Sequence, residues 1–244
     1  HTDKDIYFFV NSNRNKTLHF GTQFPVAGKS PWKWNPETGE KSACSFEKSR
    51  NYLHITLQPL ESSLIVYQPG ETNPKKQGKR EIPADEFEIS GTWKVYLKPV
   101  IGRQFSINLD ELIDFAYHDT LQNFSGEATY HTSFQPDDLK YTCLDLGDVY
   151  ETAEVKLNNE TLGVKWWGKK IFNIENKLTE GINTLEIKVT NLLYNYVRTL
   201  KDNPVAQKWT SRGRERKLRD KEIPWALNSG LAGPVKIAFQ NRSI

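Results

Sequence analysis

Two adjacent tryptophans, Trp166 and Trp167, are the residues of this sequence best suited to holding a ligand. They end a run of alternating apolar and polar residues, which predicts a β-strand, and neighbouring residues of a strand point to opposite faces. One ring would then pack in the core while the other faces solvent or a partner. A solvent-facing ring offers a flat apolar surface on which a sugar can stack. The alternative is structural, with one ring in the core and the other in a domain interface.

A second aromatic group lies further along the chain and is open to the same two interpretations. Tyr194 and Tyr196 alternate with Asn195, and we predict that they share one side of the chain with Arg198. The two rings would supply apolar walls and the guanidinium a polar contact, the mixture that small-ligand sites favour. The predicted substrate-binding residues are therefore these three together with the tryptophan pair.

No catalytic residue is predicted. Hydrolysis of a glycosidic bond generally needs two facing carboxyl groups, and the available acids lie in turns or beside strands without a recognisable catalytic context. These acids include Glu37, Glu40, Glu127, Asp145 and Asp148. A nucleophile elbow, an HExxH motif and paired CxxC motifs are all absent from the sequence, which disfavours a serine hydrolase or a zinc enzyme.

The elements that must position these residues are β-strands. Between Phe124 and Val189 apolar residues recur at every second position, and Gly or Asn-Asn marks the reversals. Such alternation predicts an antiparallel sheet with one buried face. Asn158 and Asn159 tolerate the positive φ angles of a two-residue hairpin turn, so we expect Thr152–Leu157 to pair with Thr161–Lys165.

The sequence predicts two domains. Residues 71–85 are rich in Pro, Gly and charge and lack apolar periodicity, which is typical of a linker. We therefore expect a small β-sandwich in residues 1–70 and a larger one in residues 86–244. The basic stretch Arg212–Lys221 is compatible with a solvated loop, a nucleic-acid contact or a contact with an anionic polysaccharide.

Three local patterns give further predictions. The run Asp5–Val10 is apolar at almost every position, so we expect a strand that is buried on both faces. Residues Thr17–Phe20 and Gln23–Ala27 indicate two further strands. Leucines and an isoleucine at helical spacing in Leu109–Phe115, with Asp110 as N-cap, predict a short helix.

Composition narrows the class of protein. The chain has 244 residues, 37% of them hydrophobic, a net charge of +3 and no run of about 18 apolar residues, so a soluble globular chain without a transmembrane helix is expected. The charge is too small to indicate nucleic-acid binding by itself.

Cys44 and Cys143 fall in different predicted domains, so we expect free thiols. The sequence starts at His1 without an initiator Met or a signal-peptide pattern, and we expect a fragment or a processed product.

Several motifs give the chain a family resemblance. The sequence resembles the sugar-binding jelly-roll domain of glycoside hydrolase family 2, most closely the version at the C-terminus of family 106 α-L-rhamnosidases. The matching motifs are SGEATYHTSF, LDLGDVYETAEVKLNNETLG, EGINTLEIKVTN and SGLAGPVKI. Upstream, WNPETGE and LHITLQPLESSLIVYQ resemble the small β-sandwich that follows the catalytic barrel. This resemblance implies an all-β fold of two β-sandwich domains, the second a galactose-binding-like jelly roll.

The resemblance also implies a function. The chain would be a non-catalytic C-terminal region that braces the catalytic barrel and contacts saccharide of plant or algal type, in the periplasm or outside a bacterium. Its partners would be that saccharide and the catalytic domain of the same polypeptide, with no nucleic acid and no membrane. A structural calcium ion is implied as an option, held by Asp137 and Asp138 or by Asp145 and Asp148. The alternatives are an autonomous carbohydrate-binding module and a structural sandwich with a protein partner.

Overall fold

The computed structural model describes most of the chain, in residues 3–13, 16–36, 39–70, 86–202 and 225–239. The described residues form two compact units, one within residues 3–70 and one within 86–239. The predicted linker, residues 71–85, and the basic stretch Arg212–Lys221 lie outside the described residues. None of the helices described is both long and apolar enough to cross a membrane.

The first unit is a small β-sandwich. Its strands are β1 (Asp5–Val10), β2 (Leu18–Gln23), β3 (Ser30–Trp34), β4 (Lys41–Ala43), β5 (Tyr52–Leu57) and β6 (Ser62–Gln68). One sheet has the order β1-β6-β3-β4, and β2 pairs with β5 in the other. Leu53, Ile55 and Leu57 of β5 are buried in the core, as the alternation predicts. Of the two strands expected in residues 17–20 and 23–27, the first corresponds to β2, which extends to Gln23, whereas residues 24–27 are not in a strand.

Strand β1 differs from the prediction that both its faces are buried. Tyr7 and Phe9 pack against the core, but Ile6, Phe8 and Val10 are 53%, 62% and 56% exposed. In the described sheet β1 is an edge strand that pairs with β6. An apolar run shows that a strand can be buried on both faces, whereas the neighbours that cover each face are set by the rest of the fold.

The second unit is a larger β-sandwich. Its elements are β7 (Glu86–Glu88), β8 (Trp93–Pro99), β9 (Phe105–Leu109), a 3₁₀ helix (Phe115–Tyr117), β10 (Gly126–Phe134), β11 (Cys143–Asp145), β12 (Asp148–Tyr150), β13 (Thr152–Leu157), β14 (Glu160–Lys165), β15 (Ile171–Asn173), β16 (Asn183–Thr190), α1 (Tyr194–Val197), a second 3₁₀ helix (Arg198–Asp202), β17 (Gly230–Gly233) and β18 (Lys236–Ala238). The main sheet has the order β14-β13-β16-β10-β8-β9, a second sheet has the order β15-β11-β18-β7, and β12 pairs with β17. The predicted all-β class with two β-sandwiches is confirmed.

The predicted alternation is confirmed in the main sheet. On β10, Ala128 and Tyr130 are buried in the core, while His131 is partly exposed on the opposite face. The expected hairpin forms between β13 and β14, with one register shift between Val155 and Lys156. Its turn residues Asn158 and Asn159 have φ angles of 51° and 65°. These positive values are the ones that the Asn-Asn pair predicts.

The prediction of a helix over Leu109–Phe115 is wrong. Leu109 instead ends β9, where it pairs with Trp93 of β8, so sheet pairing overrides the helical spacing. A 3₁₀ helix begins only at Phe115, and its N-cap is Asp114 rather than Asp110. The Asp114 carboxylate accepts hydrogen bonds of 2.9 Å from the backbone N–H groups of both Ala116 and Ser229.

Both cysteines are free thiols, as expected. Burial raises the pKa of Cys44 to about 11 and also raises the pKa of Cys143. Both thiols therefore remain protonated at neutral pH, the form in which cysteine behaves as a small apolar residue.

A buried amide fixes the loop that leads into β16. Asn183 is fully buried, and its side-chain amide donates to the carbonyl oxygens of Thr179 (2.8 Å) and Gly181 (3.2 Å). Its side-chain oxygen accepts from the Thr179 N–H (2.9 Å) and from the amide of Asn158 (2.8 Å). This one side chain therefore connects the loop to the β13–β14 hairpin turn, and its own buried amide is hydrogen-bonded at both its oxygen and its nitrogen.

We expect Asn183→Ala to lower the free energy of unfolding by about 2–3 kcal/mol, because the buried side chain loses its hydrogen bonds to Thr179, Gly181 and Asn158. Urea unfolding followed by circular dichroism would measure the loss. The matched control is Asn173→Ala, which removes an exposed amide that accepts one hydrogen bond, from the N–H of Glu175. Equal losses in the two variants would contradict the role assigned to Asn183.

Candidate functional site

The predicted tryptophan pair lies just beyond β14, in a bend rather than within the strand. Trp166 is 63% exposed, whereas Trp167 is half-buried and its indole N–H is buried without a hydrogen-bond partner among the described residues. The ring centroids are 6.5 Å apart and the ring planes are inclined by 59°. One ring is therefore accessible and the other partly inserted, although strand alternation is not the cause.

The predicted group of Tyr194, Tyr196 and Arg198 does not form one shared surface. Tyr194 and Tyr196 lie in α1, and residues two apart on a helix point about 200° from each other. Tyr194 is 39% exposed and Tyr196 is half-buried. The prediction that they share a side assumed an extended chain and is wrong for these two rings.

Arg198 has a structural task in the second unit. Its guanidinium donates to the side-chain oxygens of Gln122 (3.2 Å) and Asn123 (2.6 Å), in the segment that precedes β10. These bonds hold the end of α1 against that segment. A ligand would have to compete with them for the guanidinium.

Buried polar contacts fix α1 and therefore the position of Tyr194. Asn195 is 2% exposed, and its amide donates to the Leu227 carbonyl oxygen (2.8 Å) and accepts from the Leu227 N–H (2.9 Å). The backbone N–H of Tyr196 donates to the Ser125 hydroxyl (3.0 Å). The helix is short, so these tertiary bonds, rather than helix propensity, keep it in place.

A larger feature, which the sequence reasoning missed, lies on the outer face of the main sheet. It is an open groove of about 680 Å³, here called the sheet groove, and it crosses β8, β10, β13 and β16. Six of its lining residues are Lys94, His131, Ser133, Lys156, Thr184 and Glu186. The alternation on β10 places His131 and Ser133 on the polar face, but only the pairing of the strands brings the six together.

Ion pairs cover much of this outer face. Lys98 pairs with Glu127 at 3.1 Å and Lys156 with Glu186 at 2.9 Å. Lys188 pairs with Glu154, and the hydrogen bond from that carboxylate raises the pKa of the Lys188 ammonium.

An aromatic ring on this face belongs to Tyr96, which is 45% exposed. The Lys94 ammonium lies 5.0 Å from its centroid, and His131 meets its ring edge-on at 5.3 Å. Tyr96 thus connects a cation and an imidazole of the groove to one exposed apolar surface.

The aspartates of the predicted calcium site are engaged in local hydrogen bonds. Asp137 accepts from the Tyr141 hydroxyl (2.8 Å), Asp138 from the Lys140 N–H (2.8 Å) and Asp145 from the Gly147 N–H (2.9 Å). Within the part of the chain that the structure describes, no group of three or more His, Cys, Asp or Glu side chains could hold a metal ion. The calcium ion stays a prediction.

Comparison with known proteins relates the chain to glycoside hydrolases. No family model matches it. A protein of Formosa agariphila named "Putative beta-glucuronidase" is 30% identical over 233 residues, which cover 79% of this chain and 19% of that protein. The structure of a rhamnosidase from Novosphingobium sp. PP1Y matches 97% of this chain and 23% of its own, with 26% identity and a TM-score of 0.69.

These matches cover almost all of the present chain but only a small part of each relative. The chain spans about a fifth of the length of the proteins that it matches. In fold and sequence it is similar to a β-sandwich region associated with glycoside hydrolases.

Proposed function

We propose that this chain is the non-catalytic C-terminal region of a longer glycoside hydrolase of the α-L-rhamnosidase type, similar to family 106, and that it braces the catalytic domain. The observation that carries this proposal is the match of nearly the whole chain to about a quarter of a rhamnosidase. A bacterial enzyme of this class would act on polysaccharide in the periplasm or outside the cell. The galactose-binding-like character of the second unit belongs to the same proposal.

An apolar face on the first unit suits the bracing role. Cross-strand pairing places Ile6 opposite Val66 and Val66 opposite Trp32, and a second row joins Phe8, Leu64 and Trp34. The first-unit face is defined as Ile6, Phe8, Val10, Leu64, Trp32 and Trp34.

Ile6, Phe8 and Val10 are each more than half exposed at the edge strand β1. An exposed apolar patch on an edge strand favours association, and natural proteins usually cover or blunt such an edge. We infer that the catalytic domain of the same polypeptide covers the first-unit face, because the matching proteins are four to five times as long as the chain.

Phe8→Ser should destabilise the full-length enzyme by about 1.5–3 kcal/mol, the cost of losing a buried aromatic side chain, and have little effect on the isolated chain, where Phe8 is already exposed. Thermal unfolding of both proteins would measure the difference. Val10→Ser and Val164→Ser form a matched pair, since these valines are 56% and 51% exposed on strands of different units. Only Val10→Ser should lower the melting temperature of the full-length enzyme.

Two results would contradict the bracing role. One is a reading frame that encodes no catalytic domain together with this chain. The other is an equal fall in the melting temperature of the full-length enzyme for Val10→Ser and Val164→Ser, because the exposure of the two valines would then explain both losses without a covering domain.

Saccharide contact at the tryptophan pair is the second part of the proposal. Trp166 offers an exposed ring next to the inclined, half-buried ring of Trp167, and Tyr194 is a separate exposed ring of the same unit. Tyr196 points away from Tyr194, and the Arg198 guanidinium is bound to Gln122 and Asn123, so Tyr194 is the residue of this second group that we propose to contact saccharide. If no catalytic domain accompanies the chain, the exposed Trp166 ring favours an autonomous carbohydrate-binding module, the second candidate function.

Trp166→Ala should weaken the binding of a neutral rhamnose-containing oligosaccharide about 5- to 150-fold, because stacking on an aromatic ring contributes about 1–3 kcal/mol in comparable nucleobase complexes. Calorimetric titration of the folded variant and the parent would measure this. Val164→Ala is the control, because it removes an exposed apolar side chain from the same hairpin. Unchanged affinity in a folded Trp166→Ala variant would exclude the stacking role.

A further inference from the structure

The lysines of the outer face of the main sheet are not all neutralised. Lys98, Lys156 and Lys188 each pair with a glutamate. Lys94, which lines the sheet groove, has no carboxylate partner among the described residues, and its ammonium instead lies over the ring of Tyr96. The groove therefore contains one cation that is available to an anion.

The position of this cation is fixed by the sheet. Lys94 lies between Trp93 and Val95, which are 1% and 0% exposed, so strand alternation directs its side chain to the outer face. Moving it would require a change of register that exposes both apolar neighbours.

Strand pairing arranges the charged groups of the groove in one row across four strands. Lys94 lies opposite His131, His131 opposite Glu186, and Glu186 opposite Lys156. With neighbouring strands about 4.8 Å apart, the backbone positions of the two lysines are separated by roughly 14 Å. A parallel row contains Ser133 opposite Thr184, so hydroxyl groups lie alongside the charges.

We infer that the sheet groove binds an acidic saccharide, with its carboxylate or sulfate group on Lys94 and its hydroxyl groups on Ser133, Thr184 and Glu186. This inference rests on the proposed function, in which the chain contacts saccharide, and adds a separate site and a ligand class. A groove of about 680 Å³ is within the usual range for small-ligand sites. Tyr96 lies beside Lys94, where its exposed ring can contact an apolar face of the sugar.

The lining of the groove favours this ligand over other anions. Lys94 and Lys156 oppose one glutamate, so the row carries a single net positive charge when His131 is neutral. A nucleic acid presents a phosphate at every nucleotide and generally needs several lysines or arginines in its site. A ligand with few charges and many hydroxyl groups matches one free ammonium surrounded by hydroxyls and a carboxylate.

The test compares two lysines of the same strand and face in the full 244-residue chain. Lys94→Ala should weaken calorimetric binding of an oligogalacturonate about tenfold or more, because a hydrogen bond to a charged group is lost. Lys98→Ala should change the affinity less than twofold, since Lys98 is paired with Glu127 and does not line the groove. Lys94→Arg should keep most of the affinity, and circular dichroism would verify that each variant is folded.

Further ligands identify the anionic group and the site. A sulfated oligosaccharide that binds more tightly than the oligogalacturonate, with the same dependence on Lys94, would assign the anion as sulfate; the reverse order would assign it as carboxylate. Either result supports the inference. Val164→Ala should leave oligogalacturonate binding unchanged, because Val164 is an exposed residue of the main sheet that is not part of the groove.

Three outcomes would overturn the inference. They are the absence of binding by either acidic oligosaccharide, equal losses in Lys94→Ala and Lys98→Ala, and equally tight binding of a single-stranded oligonucleotide. A failure here is distinguishable from a failure of the proposed function. Binding of the neutral oligosaccharide tests Trp166, and the melting temperature of the full-length enzyme tests the first-unit face.

Discussion

The antiparallel pairing of β10 with β8 and β16 is the interaction on which the second unit depends. Tyr130, at the centre of β10, is fully buried, and its hydroxyl accepts a 3.0 Å hydrogen bond from the backbone N–H of Leu231. Burial raises the pKa of the Tyr130 phenol, so the hydroxyl stays protonated. This contact connects the middle of the main sheet to β17, which the chain reaches about a hundred residues later. At the start of β10, Gly126 has a φ of 151° and approaches Lys98 so closely that a Cβ atom would lie 2.2 Å from its carbonyl oxygen.

The same pairing also creates the candidate ligand surface. Because side chains alternate along a strand, the register that buries Val95, Tyr130 and Ile187 necessarily aligns the residues next to them on the other face. The row from Lys94 to Lys156 is the direct consequence. Stability and binding are thus encoded on opposite faces of the same strands, and a change of register would affect both together.

The first unit contributes in a different way. Its core is small, and a domain of this size buries a smaller fraction of its surface than a large one. Aromatic contacts offset this smaller burial within the core. The ring centroids of Tyr7, Phe24 and Tyr67 lie 4.6–5.9 Å apart. On the opposite face of the same sheet, apolar rows remain open to solvent at β1. A unit of this kind gains stability from a large apolar neighbour, which is consistent with a supporting role in a longer enzyme.

The sequence by itself determined the all-β class, the inward residues of β5, β8, β10, β13 and β16 and the Asn158-Asn159 hairpin, because alternation and turn chemistry are local. It also identified Trp166 and Trp167 as a pair with unequal surroundings. Only the tertiary structure decided that Leu109 ends a strand, that Tyr194 and Tyr196 point apart on a helical turn, and that Ile6, Phe8 and Val10 are exposed. It alone assembled Lys94, His131, Glu186 and Lys156 into one row. These residues come from four strands, and the pairing that aligns them depends on contacts between residues up to 55 positions apart, as His131 and Glu186 are, which no local pattern specifies.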